Sequence, residues 1–389
     1  MIPRLLKSLF PGKLSFFLFG PRQTGKSTLL SSYLNPETSI TIDLLKTDSY
    51  LQFKPHPSFL QTVLKGCAPQ IQTVFIDEIQ RVPELLDEVQ VNLTGPSPKQ
   101  FILTGSSARK LKKNHANLLG GRAALLKLYP FSYSEVRSAG FTLQEALTWG
   151  LLPPLWNMEK GDRPLFLKSY IETYIKEEIQ AEALTRNLPG FMRFLALSAH
   201  ENGSLVNFTG LSQDTGVGLH MIREFYQILE DTLLCVRLEP FTSRKRRMVR
   251  HGRYYFIDTG IVNALCNRLP PLSLMPGTPQ FGAAFEHFII MELFKIRENL
   301  GGNFTLTFYR TSAGAEVDVV LEKQDNSLIA LEIKSGPRPV SGNMSGLKSF
   351  RTLAENARAV CVHTGDYAYK EDGIEFLPWA AFLDEAAGF

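Results

Sequence analysis

The octapeptide Gly20-Pro21-Arg22-Gln23-Thr24-Gly25-Lys26-Ser27 constrains this chain more than any other feature. It fits G-x-x-x-x-G-K-[ST] in full, with an apolar segment, Ser15–Phe19, before it and a helical start, Ser27-Thr28-Leu29-Leu30, after it. Glycines let successive backbone N–H groups wrap around phosphates, and the helix N-terminus behind them adds positive potential. The expected ligand is therefore ATP with Mg²⁺, held by Gly20, Pro21, Arg22, Gln23, Thr24, Gly25, Lys26, Ser27 and Thr28. Lys26 would offset β/γ-phosphate charge and the Ser27 hydroxyl would coordinate the metal.

A second segment, Val74-Phe75-Ile76-Asp77-Glu78, is an apolar strand ending in two acids. Asp77 is expected to hold magnesium and Glu78 to orient and deprotonate the attacking water. A third apolar run, Phe101–Leu103, ends in Thr104-Gly105-Ser106-Ser107, where Ser106 is placed to sense a γ-phosphate. Arg122, after Gly121, is a candidate to stabilise transition-state charge in a neighbouring subunit. Surface salt bridging is the alternative for Arg122, as for Arg109 and Arg22. An arginine acting between subunits implies a homo-oligomer, with a hexamer as one form.

Short buried strands alternating with helices from Leu14 to about Glu135 predict an α/β parallel sheet. The chain has 389 residues, enough for two or three domains. Boundaries are expected near 160 and 260, giving regions 1–160, 161–260 and 261–389. The middle is helical, with Leu211–Thr215 and Gly218–Glu230 as helix-turn-helix and Met221, Phe225, Ile228 and Leu229 on one buried face. Leu233–Leu238 and Tyr254–Ile257 then read as strands of a wing. Between them lie Arg244, Lys245, Arg246, Arg247 and Arg250, suited to phosphate contact with DNA or to a solvated charge run.

The last region is expected to open with a Pro/Gly-rich loop from about Ile261 to Gly282, followed by a helix through Arg297. Strands are expected at Phe304–Tyr309, Glu316–Leu321 and Ile329–Ile333. Glu286 falls on the helix, Asp318 on one strand, and Glu332 with Lys334 on another, two apart and so on one face. Carboxylates and a lysine in that order suit a second Mg²⁺ or Mn²⁺ at Asp318 and Glu332, with Lys334 beside a scissile phosphate.

The four cysteines, Cys67, Cys235, Cys266 and Cys361, show no C-x-x-C spacing, which fits a reducing, cytoplasmic address without structural zinc. No apolar run approaches the ~18 residues of a membrane span. A net charge of +4 is too mild to argue for nucleic acid by itself.

The ordered series Gly20–Ser27, Phe75-Ile76-Asp77-Glu78-Ile79-Gln80, Leu103–Ser107, Leu119-Gly120-Gly121-Arg122, Leu128–Glu135, Tyr255-Phe256-Ile257-Asp258-Thr259-Gly260, Phe285-Glu286 and Glu316-Val317-Asp318 covers nearly the whole chain. It closely resembles the prokaryotic AAA+-type ATPases (AAA_14) with a C-terminal DUF4143 domain. The resemblance implies an ATPase module, a winged-helix-like middle and a C-terminal α/β restriction-endonuclease-like fold. Gly150-Leu151-Leu152-Pro153 departs from the glycine pair and aromatic segment usual before that proline. Two functions remain open: an ATPase that engages or cuts DNA, and a regulatory P-loop switch with a silent nuclease-like module.

Overall fold

The computed structural model describes residues 2–106, 111, 119–175, 187–242, 251–269 and 274–389. Two compact units emerge, Arg4–Tyr129 with Asp231–Leu234, and Pro130–Glu230 with Cys235–Phe389. The basic run 244–250, together with Ser107 and Arg109, lies outside the described residues.

The first unit holds five strands: β1 (Ser15–Phe19), β2 (Ser39–Asp43), β3 (Thr73–Asp77), β4 (Gln100–Gly105) and β5 (Ala123–Lys127). They form one all-parallel sheet in the order β2-β3-β4-β1-β5. Parallel strands are covered on both faces, so their sequences run apolar without alternation. The two-residue period nevertheless sorts them: Phe17, Phe19, Val74, Ile76, Phe101 and Leu103 enter one core. Phe16, Leu18, Phe75 and Ile102 enter the other. Because β4 lies between β1 and β3, the residues after β4 emerge between those that follow the other two strands.

The second unit is built on an eight-stranded mixed sheet. Its strands are β6 (Cys235–Pro240), β7 (Arg253–Phe256), β8 (Phe304–Arg310), β9 (Glu316–Lys323), β10 (Leu328–Lys334), β11 (Arg358–His363), β12 (Tyr369–Glu371) and β13 (Ile374–Pro378). The order across the sheet is β12-β13-β11-β10-β9-β8-β6-β7. Helix Pro279–Leu300 packs on β10, and helix Ser345–Arg351 packs on β9 and β10. The chain thus runs helix, three strands, helix, strand from Pro279 to His363.

Upstream of β6 stand helices Leu188–His200, Phe208–Thr215 and Leu219–Asp231. Asn187 and Asn207 cap the first two, accepting from Gly190 N at 2.9 Å and Gly210 N at 3.0 Å. On the third helix Ile222, Phe225, Tyr226, Ile228 and Leu229 are buried. Met221, expected on that face, is only half-buried, because the face is centred one position further along. The region expected as a loop from Ile261 instead begins inside a helix, Thr259–Leu265, nucleated by Asp258 accepting from Gly260 N at 2.9 Å.

Candidate nucleotide site

The loop between β1 and helix Lys26–Ser31 is held from several sides. Gln23 and Gly25 take positive φ of 65° and 89°, the curvature that turns backbone N–H groups inward. Gly20 has no room for a side chain: a Cβ would lie 2.4 Å from the Leu128 carbonyl oxygen. Arg4 donates to the carbonyls of Thr24 at 2.9 Å and Tyr129 at 2.6 Å, tying the loop to the segment after β5. The Thr24 hydroxyl donates to Pro21 O at 2.8 Å. Lys26 is buried and its Nζ donates to Gly20 O at 2.6 Å and Pro21 O at 3.1 Å. Arg22 and Gln23 on the loop, and Ser27 and Thr28 in the first turn of the helix, are exposed.

The acids come from the neighbouring strands. Ser27 Oγ donates to Asp77 Oδ2 at 2.9 Å, and the Thr104 hydroxyl donates to Asp77 Oδ1. Thr104 Oγ1 also accepts from Glu78 N at 3.2 Å. Glu78 itself sits in the left-handed region, φ 59°, which turns the chain sharply away from β3. Its Oε2 accepts from Gln80 Nε2 at 2.5 Å, and the same amide nitrogen reaches Ser106 Oγ at 3.2 Å. Ser27, Asp77, Glu78 and Ser106, far apart in sequence, thus share one hydrogen-bonded set at the carboxyl ends of β1, β3 and β4. Open α/β sheets bind ligands at that edge. Two hard oxygens, Ser27 Oγ and Asp77 Oδ2, beside a phosphate-binding loop match the donors that Mg²⁺ takes.

Arg122 is not part of this set. It is exposed and precedes Ala123, which pairs with Ser15, whereas the loop follows Phe19 at the far end of β1. Five residues of strand put the two ends ~16 Å apart.

The carboxylates of the second unit gather around β7, β9 and β10. Asp318 Oδ2 accepts from Ile333 N at 2.7 Å, and Lys334 Nζ pairs with Glu332 Oε1 at 2.7 Å. Glu286 Oε1 accepts from the Tyr255 hydroxyl at 3.0 Å and lies 3.8 Å from the Arg253 guanidinium. Arg253, 3% exposed, also pairs with Glu316 and stacks 4.7 Å over the Phe308 ring. Burial, then the Asp318 carboxylate, pushes Glu286 and Glu332 up to about 7, and burial raises Asp318 as well. Glu332 Oε2 and Arg253 Nε are buried without a hydrogen-bond partner among the described residues. Among the described residues no three or more His, Cys, Asp or Glu side chains form a metal-holding group. No helix among them is long and apolar enough to cross a membrane.

Sequence reasoning passed over Arg4, Gln80, Thr104 and Arg253. Gln80 stood inside the quoted motif, and Arg253, just past the basic run, was not singled out. Arg4 and Thr104 gave no signal of their own.

A five-stranded parallel sheet with a phosphate-binding loop after β1 and an acid pair after β3 defines the first unit as a P-loop ATPase fold. Comparison with known families agrees: an AAA domain matches residues 13–137, the domain of unknown function DUF8612 matches 140–272, and the domain of unknown function DUF4143 matches 281–382. The chain thus carries an AAA-type P-loop ATPase domain at its N-terminal end and a DUF4143 domain at its C-terminal end.

An uncharacterized protein of Haemophilus influenzae is 22% identical over 270 residues, 62% of this chain and 66% of that protein. An uncharacterized protein of Methanocaldococcus jannaschii is 21% identical over 414 aligned residues, covering 94% of this chain and 84% of that protein. A solved Signal Transduction ATPase with Numerous Domains, with a tetratricopeptide repeat sensor, from Pyrococcus horikoshii is matched over 76% of this chain at 14% identity. Its TM-score of 0.22 is too low to carry weight. The chain spans just under two thirds of the Haemophilus protein and about half, 48%, of the Pyrococcus chain.

Proposed function

We propose that this protein hydrolyses ATP at the carboxyl edge of its five-stranded sheet and couples turnover to action on duplex or branched DNA. The observation that carries the first half is the hydrogen-bonded set joining Ser27, Asp77, Thr104, Glu78 and Ser106. In this reading Lys26 exchanges its carbonyl partners for β/γ-phosphate oxygens, and backbone N–H groups of residues 23–28 hold the rest. Ser27 and Asp77 would hold Mg²⁺, whose charge would offset that of the phosphates. Glu78 takes a proton from the attacking water, whose oxygen bonds to the γ-phosphorus as the bond to the β,γ-bridging oxygen breaks and ADP leaves. Ser106 donates to the γ-phosphate. Because Arg122 lies at the wrong end of β5 for its own site, it serves the site of a neighbouring copy in a homo-oligomer, a hexamer included.

The DNA half rests on different features. Three helices followed by the antiparallel pair β6–β7 suit a winged helix, with Arg244, Lys245, Arg246, Arg247 and Arg250 as the phosphate-binding wing. Residues 1–160 are then the ATPase part, 161–260 the winged-helix-like part and 261–389 the restriction-endonuclease-like part. Asp318 and Glu332 would hold a second Mg²⁺ or Mn²⁺ there, a use supported by the partnerless Glu332 Oε2. One observation favours a second reading, a regulatory ATPase switch with a non-catalytic C-terminal module. Arg253 already supplies a buried positive charge to Glu286 and Glu316, and Lys334 a half-exposed one to Glu332.

Steady-state ATPase assays with and without duplex, forked and four-way DNA test the proposal. Lys26→Ala should abolish tight MgATP binding, and Glu78→Gln should keep binding and lose turnover. Normal hydrolysis by Glu78→Gln refutes that base. Nuclease activity with Mn²⁺, wild type beside Glu332→Ala, decides between the two readings of the C-terminal part. Activity lost only in the variant supports cleavage, and its absence in both supports the silent module.

A further inference from the structure

Gln80 is 9% exposed and lies on the single 3-10 turn, Ile79–Arg81, that follows the two acids. The turn is pinned from outside: Arg81 donates to Leu44 O at 2.8 Å and lies 4.7 Å over the Tyr50 ring. The left-handed Glu78 and this turn bring side chains 78 and 80 together on one side of the backbone. One nitrogen of Gln80 then makes both useful contacts, to Glu78 Oε2 at 2.5 Å and to Ser106 Oγ at 3.2 Å. The amide oxygen gains nothing in return. Gln80 Oε1 is buried with no hydrogen-bond partner among the described residues. It faces the Gly105 backbone so closely that a Cβ on Gly105 would lie 2.5 Å from it. A desolvated acceptor without a donor is a cost that folds rarely keep away from functional sites.

We infer that Gln80 is the positioning residue of the ATPase site, joining the base Glu78 to Ser106 so that the two move as one. The inference rests on the proposed roles of Glu78 and Ser106. With its Nε2 fixed between them, contact of Ser106 with a γ-phosphate oxygen sets the Glu78 carboxylate at a defined distance from the attacking water. Without a γ-phosphate the same amide keeps Glu78 occupied. Gly105 belongs to the device, since only a residue without a side chain leaves space for the Gln80 amide. The Gly105 carbonyl also accepts from Gly20 N at 3.3 Å, so the amide is packed on backbone shared with the phosphate loop.

The test is steady-state ATPase of the full chain, with MgATP affinity by calorimetry on the same preparations. Gln80→Leu and Gln80→Ala should lower kcat about 100-fold, the scale of a catalytic group misplaced by about 1 Å, with affinity within about two-fold of wild type. Gly105→Ala should lower kcat by displacing the amide, yet add nothing in a Gln80→Ala background, the non-additivity expected of one shared contact. Retained affinity certifies that the site is folded. Turnover within about three-fold of wild type in both Gln80 variants, beside an inactive Glu78→Gln, overturns the inference alone. Affinity lost in step with turnover overturns it too, by showing Gln80 to be a packing residue. Normal turnover by Glu78→Gln removes the underlying assignment and the inference with it.

Discussion

Protonation of Asp258 gives a quantitative test of how the second unit is assembled. Its side chain is 4% exposed, accepts from Leu151 N at 2.6 Å and Gly260 N at 2.9 Å, and caps helix Thr259–Leu265. Thr259 Oγ1 donates to Ala146 O at 2.5 Å, and Asn263 donates to Leu147 O and Thr148 O. Asp258, Thr259 and Asn263 thus fasten this helix to residues 146–151. Burial raises the Asp258 carboxyl from 3.8 to about 6. The folded state therefore binds this proton more tightly than the unfolded chain. Stability is lost as pH rises from about 4 to about 6 and stays lost above, at about 3 kcal/mol in full.

Asp258→Asn cannot titrate and leaves one backbone N–H without its acceptor, a loss of about 1–3 kcal/mol at any pH. At pH 4.5 the wild type carries only about 1 kcal/mol of its ionisation cost, so between pH 4.5 and 7.5 the variant should gain about 2 kcal/mol on the wild type. All three tryptophans, Trp149, Trp156 and Trp379, lie in this unit, so urea unfolding followed by their fluorescence reports on it selectively. Titrations common to both proteins cancel in the difference. A difference constant to within about 0.5 kcal/mol over that range would refute the reasoning.

Arg4→Ala should weaken MgATP binding about 10-fold with little change in kcat at saturation, because Arg4 braces the phosphate loop without reaching the reacting atoms. Unchanged affinity would discard the brace. Arg253→Met should allow or tighten Mn²⁺ binding in the C-terminal part, read by calorimetry, since Glu286 and Glu316 lose their shared buried cation. Identical titrations for variant and wild type would show that Arg253 does not substitute for a metal. Mixing Arg122→Ala with Lys26→Ala should restore part of the ATPase activity that each lacks alone. A mixture no more active than its parts counts against a site shared between copies.

The fold of the first unit was legible because its rules are local. A glycine loop that fits only between strand and helix, an apolar run ending in two acids, and another ending in Thr-Gly-Ser identify β1, β3 and β4 without reference to anything distant. What joins them was not legible. Ser27 meets Asp77 across fifty residues, and Thr104 bridges Asp77 to the Glu78 backbone only because β4 is inserted between β1 and β3. Strand order is a property of the assembled sheet, which no spacing in the chain states. Arg122 differs: its sequence context suggested a phosphate partner in a neighbouring subunit, and the β1–β5 register puts it at the strand end opposite its own phosphate loop. On helix Leu219–Asp231 the period was legible, with Phe225, Ile228 and Leu229 buried as expected, while Ile222 took the place given to Met221.

The C-terminal carboxylates show why a list of acids underdetermines chemistry. Glu286, Asp318 and Glu332 have the order of a metal site; burial pushes all three toward the protonated form, and the Asp318 carboxylate pushes Glu286 and Glu332 further. Such a cluster needs positive charge, and the choice of cation decides what it can do. A divalent ion is exchangeable and polarises water, whereas a guanidinium is fixed by its own chain and does neither. Arg253 reaches Glu286 and Glu316 from β7 and Lys334 covers one oxygen of Glu332, so protein cations already meet part of the demand. They do not meet all of it, because Glu332 Oε2 stays buried without a hydrogen-bond partner among the described residues. That single oxygen is where the catalytic and silent readings part: a metal ion would satisfy it, and so would a proton at a carboxyl already raised to about 7.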